Sequence, residues 1–486
     1  VLAAPVLAQD REVVEAVDRG LDWLARHQGS EGLWDSYDFK DVCGDPGCTG
    51  RGSEWCDVGL TGLAALAHLA AGNTSDAGTH ADVVRKALGG LVAAQDAEGC
   101  LGKREGHFLY NHAIGTLCLA SYYGATRADA LREPTARAVA FLLAAQNPGM
   151  GWRYKVKPGD NDTSVTGWAL KALYAAKAAG LEVPAAALEG ARNWIESVTD
   201  GATFRTGYIE RGDTGARLGS LFGKFAPVET CSAIALWSTL RMGADRADPR
   251  VAGQVALLAA QRPDWNPTGG PGGTSRIDLY YWYFGTEAFR HLGGDRWRDW
   301  KVEAKKALVP LQIREGHPAG SWEPIDAWGS EGGRLYATAI SVLILARTEA
   351  EHFHLRVLEG ALGAAPEDRA RELHLCHAYL EIGLDREAAE RIEGLLEKDG
   401  QVPAEVALEF TFLLGEIRSR QGDPRAARRS FEKLARLDPE DARGLVRRSY
   451  VVLLDAYRAK GDAADVKRIA SEFRRKYDDD ATRALA

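Results

Sequence analysis

The chain has 486 residues, a formal net charge of −8 and a pI near 5.9. This acidic balance argues against a surface for nucleic acid or for an anionic membrane. No apolar run in the sequence approaches the roughly 18 residues that a transmembrane helix needs, so we expect no transmembrane anchor. The length predicts two or three domains.

The N-terminal stretch "VLAAPVLA", residues 1–8, looks like the end of a signal peptide. Val6-Leu7-Ala8 fits the small-x-small cleavage pattern, with Gln9 as the first mature residue. The charged segment that normally precedes such a run is missing, so an ordinary apolar N-terminus is the alternative. Seven cysteines suit an exported protein with one or two disulfides and some buried thiols. We therefore expect a periplasmic or secreted protein.

Residues 9–350 contain a repeat of about 50 residues. Each clear copy is an amphipathic helical stretch followed by Gln and Gly and, in three of the four, by Trp. The four copies are "RGLDWLARHQGSEGLW" (19–34), "KALGGLVAAQDAEGCL" (86–101), "RAVAFLLAAQNPGMGW" (137–152) and "KALVPLQIREGHPAGSW" (306–322). Weaker copies at 191–197 and 255–265 bring the number to six.

A second series of helical stretches alternates with the first. These stretches are rich in small apolar residues on most faces, which is typical of helices that are buried all round. They begin near Asp57, Tyr110, Asp162, Glu229, Asp278 and Tyr336. Six amphipathic outer helices alternating with six buried inner helices predict an all-α fold, a closed α6/α6 toroid.

The run R-G-x-x-W-L-x-x-x-Q-x-x-x-G-x-W at residues 19–34 resembles the Gln-Trp repeat of squalene–hopene cyclases. The wider superfamily also contains protein prenyltransferase β subunits and complement-type thioester domains. The resemblance covers residues 10–348 and implies the toroid fold, but one toroid supports several chemistries. The Gln side chain is suited to bonding backbone groups at a helix end, and the Trp to packing on a neighbouring turn.

Residues 351–486 have a different character: they are charged, helical in pattern and free of Trp. Glycines recur there every 39 residues, and the middle unit resembles a tetratricopeptide repeat. The residues that carry this pattern are Gly383, Gly422, Gly461, Leu414, Gly415, Ala427, Phe431 and Pro439. We predict a short tetratricopeptide-like solenoid that binds a protein or peptide partner. A packing extension of the toroid is the alternative.

Parallel inner helices would gather their N-termini at one mouth of the toroid, where we expect an unknown small molecule to bind. Helix N-termini also stabilise carboxylates, so capping is the alternative role of each acid. The candidate ligand-binding residues are Asp57, Asn111, Glu229, Asp278, Tyr280, Tyr281, Tyr336 and Trp168. Nothing in the sequence specifies the ligand or a cofactor.

The stretch "GDNDTSVTGW" (159–168) resembles the D-x-D-D-T motif of class II terpene cyclases, whose middle Asp protonates an alkene or epoxide. In one register Asn161 takes the acid position, and in the other Asp162 takes it and Thr163 replaces a supporting acid. The motif is incomplete in both registers. Candidate catalytic residues are Asp162, Asp160 and His112, and we expect Asp162 to cap its helix instead. A divergent cyclase and a metal-dependent hydrolase or lyase stay open beside a binding protein.

Two other members of the superfamily fit the sequence less well. Prenyltransferase β subunits bind zinc through Asp, a nearby Cys and a distant His; no predicted inner helix of this chain begins with D-x-C, and Glu229 and Cys231 only imitate that spacing. The Cys-Gly-Glu-Gln of thioester domains does not occur.

The loop "CGDPGCTGRGSEWC" brings three cysteines, Cys43, Cys48 and Cys56, within a short Gly-rich stretch. We expect Cys43 and Cys48 to lie close together, and one disulfide plus a free thiol to form. A metal site is the alternative, with Asp57 or His107 as the fourth ligand.

Overall fold

The computed structural model describes residues 3–213, 223–364, 368–381, 385–397 and 402–477. Gly383, one of the predicted repeat glycines, lies outside these residues. The contacts divide the chain into two compact units, Val1–Ala350 and Glu351–Ala486. Within the described residues, no helix combines the length and the apolar character needed to cross a membrane.

The first unit is built from helices, which confirms the all-α prediction. In chain order they are α1 (Ala3–Arg26), α2 (Phe39–Cys43), α3 (Asp57–Ala70), α4 (Ala81–Ala93), α5 (Phe108–Thr126), α6 (Asp129–Ala145), α7 (Thr163–Ala178), α8 (Ala185–Val198), α9 (Thr230–Arg241), α10 (Pro249–Ala259), α11 (Leu279–Leu292), α12 (Gly294–Leu308) and α13 (Gly329–Thr348). Short 3₁₀ turns occupy Pro271–Gly273 and Val309–Leu311.

The odd-numbered helices from α3 to α13 form an inner ring. Each packs on the next, and α13 packs back on α3, which closes the ring. Small residues allow this close approach: a Cβ on Gly59 would lie 2.5 Å from Asn111 Oδ1. Eleven consecutive residues of α3, from Val58 to His68, are buried, as expected for a helix surrounded by protein. Helix α1 and the even-numbered helices from α4 to α12 form the outer ring.

Four glutamines hold successive outer helices together, and we call them the glutamine girdle: Gln28, Gln95, Gln146 and Gln312. Each side-chain amide donates to a carbonyl oxygen of its own turn and to one in the next outer helix. The acceptors in the next helix are Val83, Pro134, Ala187 and Ala16, at 2.8–2.9 Å. The last of these bonds joins the end of the ring to α1.

Three of the four girdle turns also contact the inner ring through a tryptophan. The backbone N–H groups of Trp34, Trp152 and Trp322 donate to threonine hydroxyls on α3, α7 and α13. Their indole N–H groups donate to backbone carbonyls of the preceding outer helix at 2.8–2.9 Å. The polar groups of these turns are therefore satisfied inside the protein.

The closing seam of the ring is held by contacts of α13 with the loop before α3. Arg334 donates from Nε to the carbonyl oxygen of Thr49 at 2.7 Å. Gly333 has a φ of 62°, and a Cβ there would lie 2.6 Å from the carbonyl oxygen of Gly50. Only glycine fits such a conformation and such an approach without strain.

The second unit consists of α14 (Ala350–Ala364), α15 (Arg369–Glu381), α16 (Asp385–Leu396), α17 (Ala404–Arg420), α18 (Pro424–Leu437), α19 (Leu445–Ala459) and α20 (Ala463–Lys476). From α15 on, each helix packs on the next, and α17 also packs on α15 and α19. Gly415 lies against the Phe431 ring, which a Cβ would approach to 2.2 Å. The relation to tetratricopeptide repeats stays a prediction.

Candidate functional site

A cavity of about 380 Å³ lies at the N-terminal ends of the inner helices. The first turns of all six inner helices contribute to its wall, as expected if these helices run parallel. Its lining includes Cys56, Leu60, Tyr110, Asn111, Ser164, Trp168, Thr230, Cys231, Tyr280, Gly332 and Tyr336, and the loops add Trp55, His107, Arg153, Tyr154, Tyr208, Trp328 and Glu331. We call it the mouth cavity.

One wall of the mouth cavity is apolar and aromatic. Leu60, Leu63 and Ile114 line it from α3 and α5. Trp168 on α7 stacks on Tyr280 of α11 with ring centroids 5.9 Å apart. Ligand pockets of this volume are usually lined mainly by such side chains, with a few polar groups that orient the ligand.

The rim of the mouth cavity carries its polar groups. His107 stacks on Tyr154 at 3.9 Å between ring centroids and meets Trp55 edge-on at 5.1 Å. Burial lowers the pKa of His107, although the Glu331 carboxylate opposes this effect. The Arg153 guanidinium lies over the Tyr154 ring at 5.1 Å. At neutral pH this rim presents an uncharged imidazole, since an unperturbed histidine has a pKa near 6.5.

A chain of hydrogen bonds leads from the mouth cavity to a buried carboxylate. Tyr110 donates from its hydroxyl to Ser164 Oγ. Ser164 Oγ donates to Asp162 Oδ1 at 2.7 Å, and the same oxygen accepts from the Val165 backbone N–H at 2.7 Å. Asp162 is therefore the N-cap of α7. It is also the last member of a series of hydrogen-bonded side chains that begins at the cavity wall.

The second carboxylate oxygen of Asp162 has no hydrogen-bond partner. Its nearest charged neighbour is Arg153, whose Nε lies 4.0 Å away. Burial raises the pKa of Asp162 to about 6, while the bonds from Val165 and Ser164 and the Arg153 charge act in the opposite direction. The carboxylate is thus mostly ionised at neutral pH and carries a buried negative charge beside the cavity.

The cysteines of the wall are not activated. Burial raises the pKa of Cys56 to about 12 and that of Cys231 well above its ordinary value. A cysteine nucleophile needs a thiolate, which these surroundings disfavour.

The predicted ligand-binding residues divide into two groups. Asn111, Tyr280, Tyr336 and Trp168 line the mouth cavity. The other four are engaged elsewhere: Asp57 accepts from the Ser36 N–H, Glu229 pairs with Arg205, Asp278 caps α11 through the Tyr281 N–H, and the Tyr281 hydroxyl donates to the Leu258 carbonyl.

None of the three predicted catalytic residues lines the mouth cavity: Asp162 is reached through Ser164, and the other two have partners elsewhere. His112 is fully buried: its Nδ1 accepts from the Leu101 N–H at 3.1 Å, and its Nε2 donates to the Ala138 carbonyl at 3.0 Å. Both ring nitrogens are therefore used by the backbone. Asp160 pairs with Arg153 at the surface, with its side chain 58% exposed.

The cysteine loop corrects an expectation. The predicted disulfide is absent, because all seven cysteines are free thiols. Cys43 and Cys48 are close together, as expected, but they lie beside the imidazoles of His27 and His317. Cys56 is not in this group, and its thiol contacts the Glu331 carbonyl oxygen at 3.5 Å. The fourth ligands that we considered, Asp57 and His107, are not in it either.

Several residues of the mouth cavity were not predicted from the sequence. Tyr154 and Tyr208 come from loops. They lie two residues after Trp152 and Thr206, which occupy equivalent positions in two of the repeating segments. The N–H of Trp152 donates to a hydroxyl on α7, and that of Thr206 donates to a hydroxyl on α9. The position two residues after Trp152 or Thr206 could therefore have predicted these two residues of the cavity rim.

Comparisons with known proteins find similar solved structures only. No family model matches the chain, and no curated protein matches it. Similar solved structures include three of the type II terpene cyclase MstE from Scytonema. One is a variant with merosterolic acid A, its product (TM-score 0.44, 12% identity, 71% of this chain and 98% of that chain covered). The others are a variant with geranylgeranyl dihydroxybenzoate, its substrate, and an apo variant (TM-score 0.45 for both, 11% and 10% identity, 71% and 99% covered).

Proposed function

We propose that the toroid binds a mainly apolar small molecule that bears a hydroxyl group, and that the mouth cavity is the binding site. The observation that carries this proposal is the pairing of an apolar aromatic wall with one hydrogen-bonded chain, Tyr110–Ser164–Asp162. The wall accounts for the body of the ligand, and the chain accounts for its polar group.

The direction of the hydrogen bonds supports a ligand that donates. An ionised carboxylate only accepts, so the Ser164 hydroxyl gives its proton to Asp162. Tyr110 then gives its proton to Ser164. The Tyr110 oxygen, which also interacts with the Tyr280 hydroxyl, can then accept a hydrogen bond from the cavity. A ligand hydroxyl suits this position, whereas a ketone oxygen would meet another acceptor.

The same geometry argues against the acid role that class II terpene cyclases require. An alkene is protonated by a group that holds its proton at the working pH. Asp162, with a pKa of about 6, is mostly deprotonated at neutral pH, and no second acid is bonded to it.

An enzyme remains the second candidate, and the relay favours a base rather than an acid. A ligand hydroxyl that donates to Tyr110 could pass a proton through Ser164 to the ionised Asp162, which has one unpartnered oxygen. Such a site would activate an alcohol.

The binding proposal is tested with pairs of bicyclic and tricyclic alcohols and the ketones of the same skeletons. Trp55, Trp168 and Trp328 line the cavity, so their fluorescence reports binding. Tyr110→Phe should weaken alcohol binding about fivefold, since one hydrogen bond contributes about 1 kcal/mol, and should leave ketone binding unchanged. Tyr281→Phe is the matched control, because its hydroxyl contacts Leu258 outside the cavity.

Two results would count against the binding proposal. One is that no alcohol of the panel saturates the fluorescence change. The other is that Tyr110→Phe and Tyr281→Phe behave alike. Mass spectrometry of the alcohol during incubation with the protein tests the second candidate, an enzyme. Conversion of the alcohol by the wild type that stops in Asp162→Asn would favour an enzyme over a binding protein.

The sequence supports two further parts of the proposal. The repeat pattern of residues 351–486 supports a protein or peptide partner for the second unit. The apolar N-terminal stretch supports export to the periplasm or the medium. A pull-down with the full chain and with a variant carrying charge reversals on α17 and α19 tests the first. Fractionation of the producing cells tests the second.

A further inference from the structure

The described part of the chain contains one group of side chains close enough to share a metal ion. It consists of His27, Cys43, Cys48 and His317, and one ligand atom of each lies within 4.8 Å of the others. His27 follows α1, the cysteines flank the end of α2, and His317 lies in the turn before α13. No sequence spacing joins these residues into a motif, and the mouth cavity does not include them.

His27 is held as a metal ligand would be. Its ring is fully buried, and it stacks on Trp23 at 4.0 Å. The Nδ1–H donates to the Trp23 carbonyl oxygen at 2.7 Å. This bond places the proton on Nδ1, so the lone pair is on Nε2, which points at Cys48 Sγ at 3.1 Å. A backbone carbonyl on the far nitrogen is the usual way in which proteins orient a ligating histidine.

His317 is oriented in the same way as His27, but by a carboxylate instead of a backbone carbonyl. Its Nδ1 lies 3.2 Å from Asp45 Oδ2. Asp45 is itself fixed by the loop, because its other oxygen accepts from the Gly47 N–H at 2.7 Å. The Nε2 of His317 is buried and has no hydrogen-bond partner. A buried nitrogen of this kind is costly unless a ligand satisfies it.

We propose that these four side chains bind one Zn²⁺ ion as a structural Cys₂His₂ site. Tetrahedral zinc with two sulfur and two nitrogen ligands spaces its donors about 3.3–3.8 Å apart. The observed limit of 4.8 Å leaves only small side-chain movements to complete that geometry. Two thiolates and two neutral imidazoles suit zinc, and four protein ligands leave no open position for a substrate.

The ion would join the two ends of the toroid sequence. His27 and the cysteines belong to its first segments, and His317 belongs to its last turn before α13. The loop that carries Cys48 continues to Trp55 and Cys56, which line the mouth cavity. The site therefore closes the ring and holds the loop at the cavity rim.

The test is elemental analysis of the full chain, purified under reducing conditions and without chelators. We expect about one zinc per chain in the wild type. Cys43→Ser and His317→Asn should lose the metal, whereas Cys56→Ser, in the same loop but outside the group, should retain it. Circular dichroism confirms that each variant is folded.

A second measurement does not depend on the variants. Cobalt added to metal-free wild type should give the visible absorption of a tetrahedral site and a thiolate charge-transfer band. Zinc should then displace cobalt and raise the melting temperature. The proposal is overturned if the wild type holds no more zinc than Cys43→Ser and cobalt gives no such bands. It is equally overturned if mass spectrometry of the reduced-purified chain shows a Cys43–Cys48 disulfide.

Discussion

The glutamine girdle and the mouth cavity are made by the same repeating segments but differ in how their polar groups are used. In the girdle, each amide N–H group points to backbone carbonyls, as in Gln146, which donates to Met150 and Ala187. In the mouth cavity, side chains such as Tyr110 and His107 face open space. The recurring Gln and Trp residues therefore stabilise the ring, while other side chains of the same segments line the cavity.

The two regions also differ in their contribution to the stability of the fold. The girdle buries hydrogen bonds and tryptophans that would be expensive to lose. The mouth cavity leaves a space of about 380 Å³ unfilled, and the Asp162 carboxylate beside it is a buried charge. Both features reduce stability. Substitutions in the two regions should therefore separate stability from binding.

The largest expected effect is at a girdle tryptophan. Trp152 is fully buried, and its indole N–H donates to the Leu142 carbonyl at 2.8 Å. Trp152→Ala should reduce the free energy of unfolding by about 3–5 kcal/mol, measured as a lower urea midpoint at unchanged m-value. Trp55→Ala is the matched control, because Trp55 is only half-buried at the cavity rim. Equal losses in both variants would contradict the distinction between the regions.

The sequence predicted the ring better than the site for a physical reason. Helical periodicity and the recurring Gln and Trp residues report burial, so the alternation of inner and outer helices could be inferred. Capping could also be inferred for Asp162, since an acid before an apolar helix has few other uses. The zinc ligands could not be paired, because His27 and His317 lie at opposite ends of the first unit and meet only when the ring closes.

The second effect is a pH dependence at Asp162. Its pKa rises from 3.8 to about 6 on folding, so the folded state binds this proton more tightly than the unfolded state. Stability should therefore fall as pH rises from about 4 to about 6, by about 3 kcal/mol, and stay at the lower value above that range. In Asp162→Asn, which retains the capping oxygen, the decline in urea midpoints across that range should become smaller by this amount. A remainder is expected from Asp57, because burial also raises its pKa to about 6.

A matched cap of opposite sign provides the control for Asp162. The hydrogen bonds from Arg250 lower the pKa of Asp248, the N-cap of α10. Its contribution is present above the unfolded pKa and is lost as pH falls, so Asp248→Asn should not remove the decline between pH 4 and 6. A decline that is as large in Asp162→Asn as in the wild type would assign the titration to another group.

The third effect concerns the girdle amides. Gln146→Ala removes the bonds to Met150 and Ala187 and leaves their carbonyls without this donor. We expect a loss of about 1–3 kcal/mol in chemical unfolding. Gln146→Leu keeps most of the side-chain volume and should be nearly as destabilising. Full stability in the leucine variant would show that packing, rather than the hydrogen bonds, holds the outer helices.

The smallest effect is expected two residues before Asp162. Asp160 pairs with Arg153 at the surface, and its side chain is 58% exposed. Solvent screens such a pair, so Asp160→Asn should change the free energy of unfolding by less than about 1 kcal/mol. The pair also draws Arg153 away from the unpartnered oxygen of Asp162, 4.0 Å from its Nε. Without Asp160, Arg153 is free to move closer to that oxygen, which lowers the pKa of Asp162. The pH-dependent decline should then become smaller and end at a lower pH, while alcohol binding at Tyr110 persists. An unchanged decline would mean that Asp160 does not affect the buried acid.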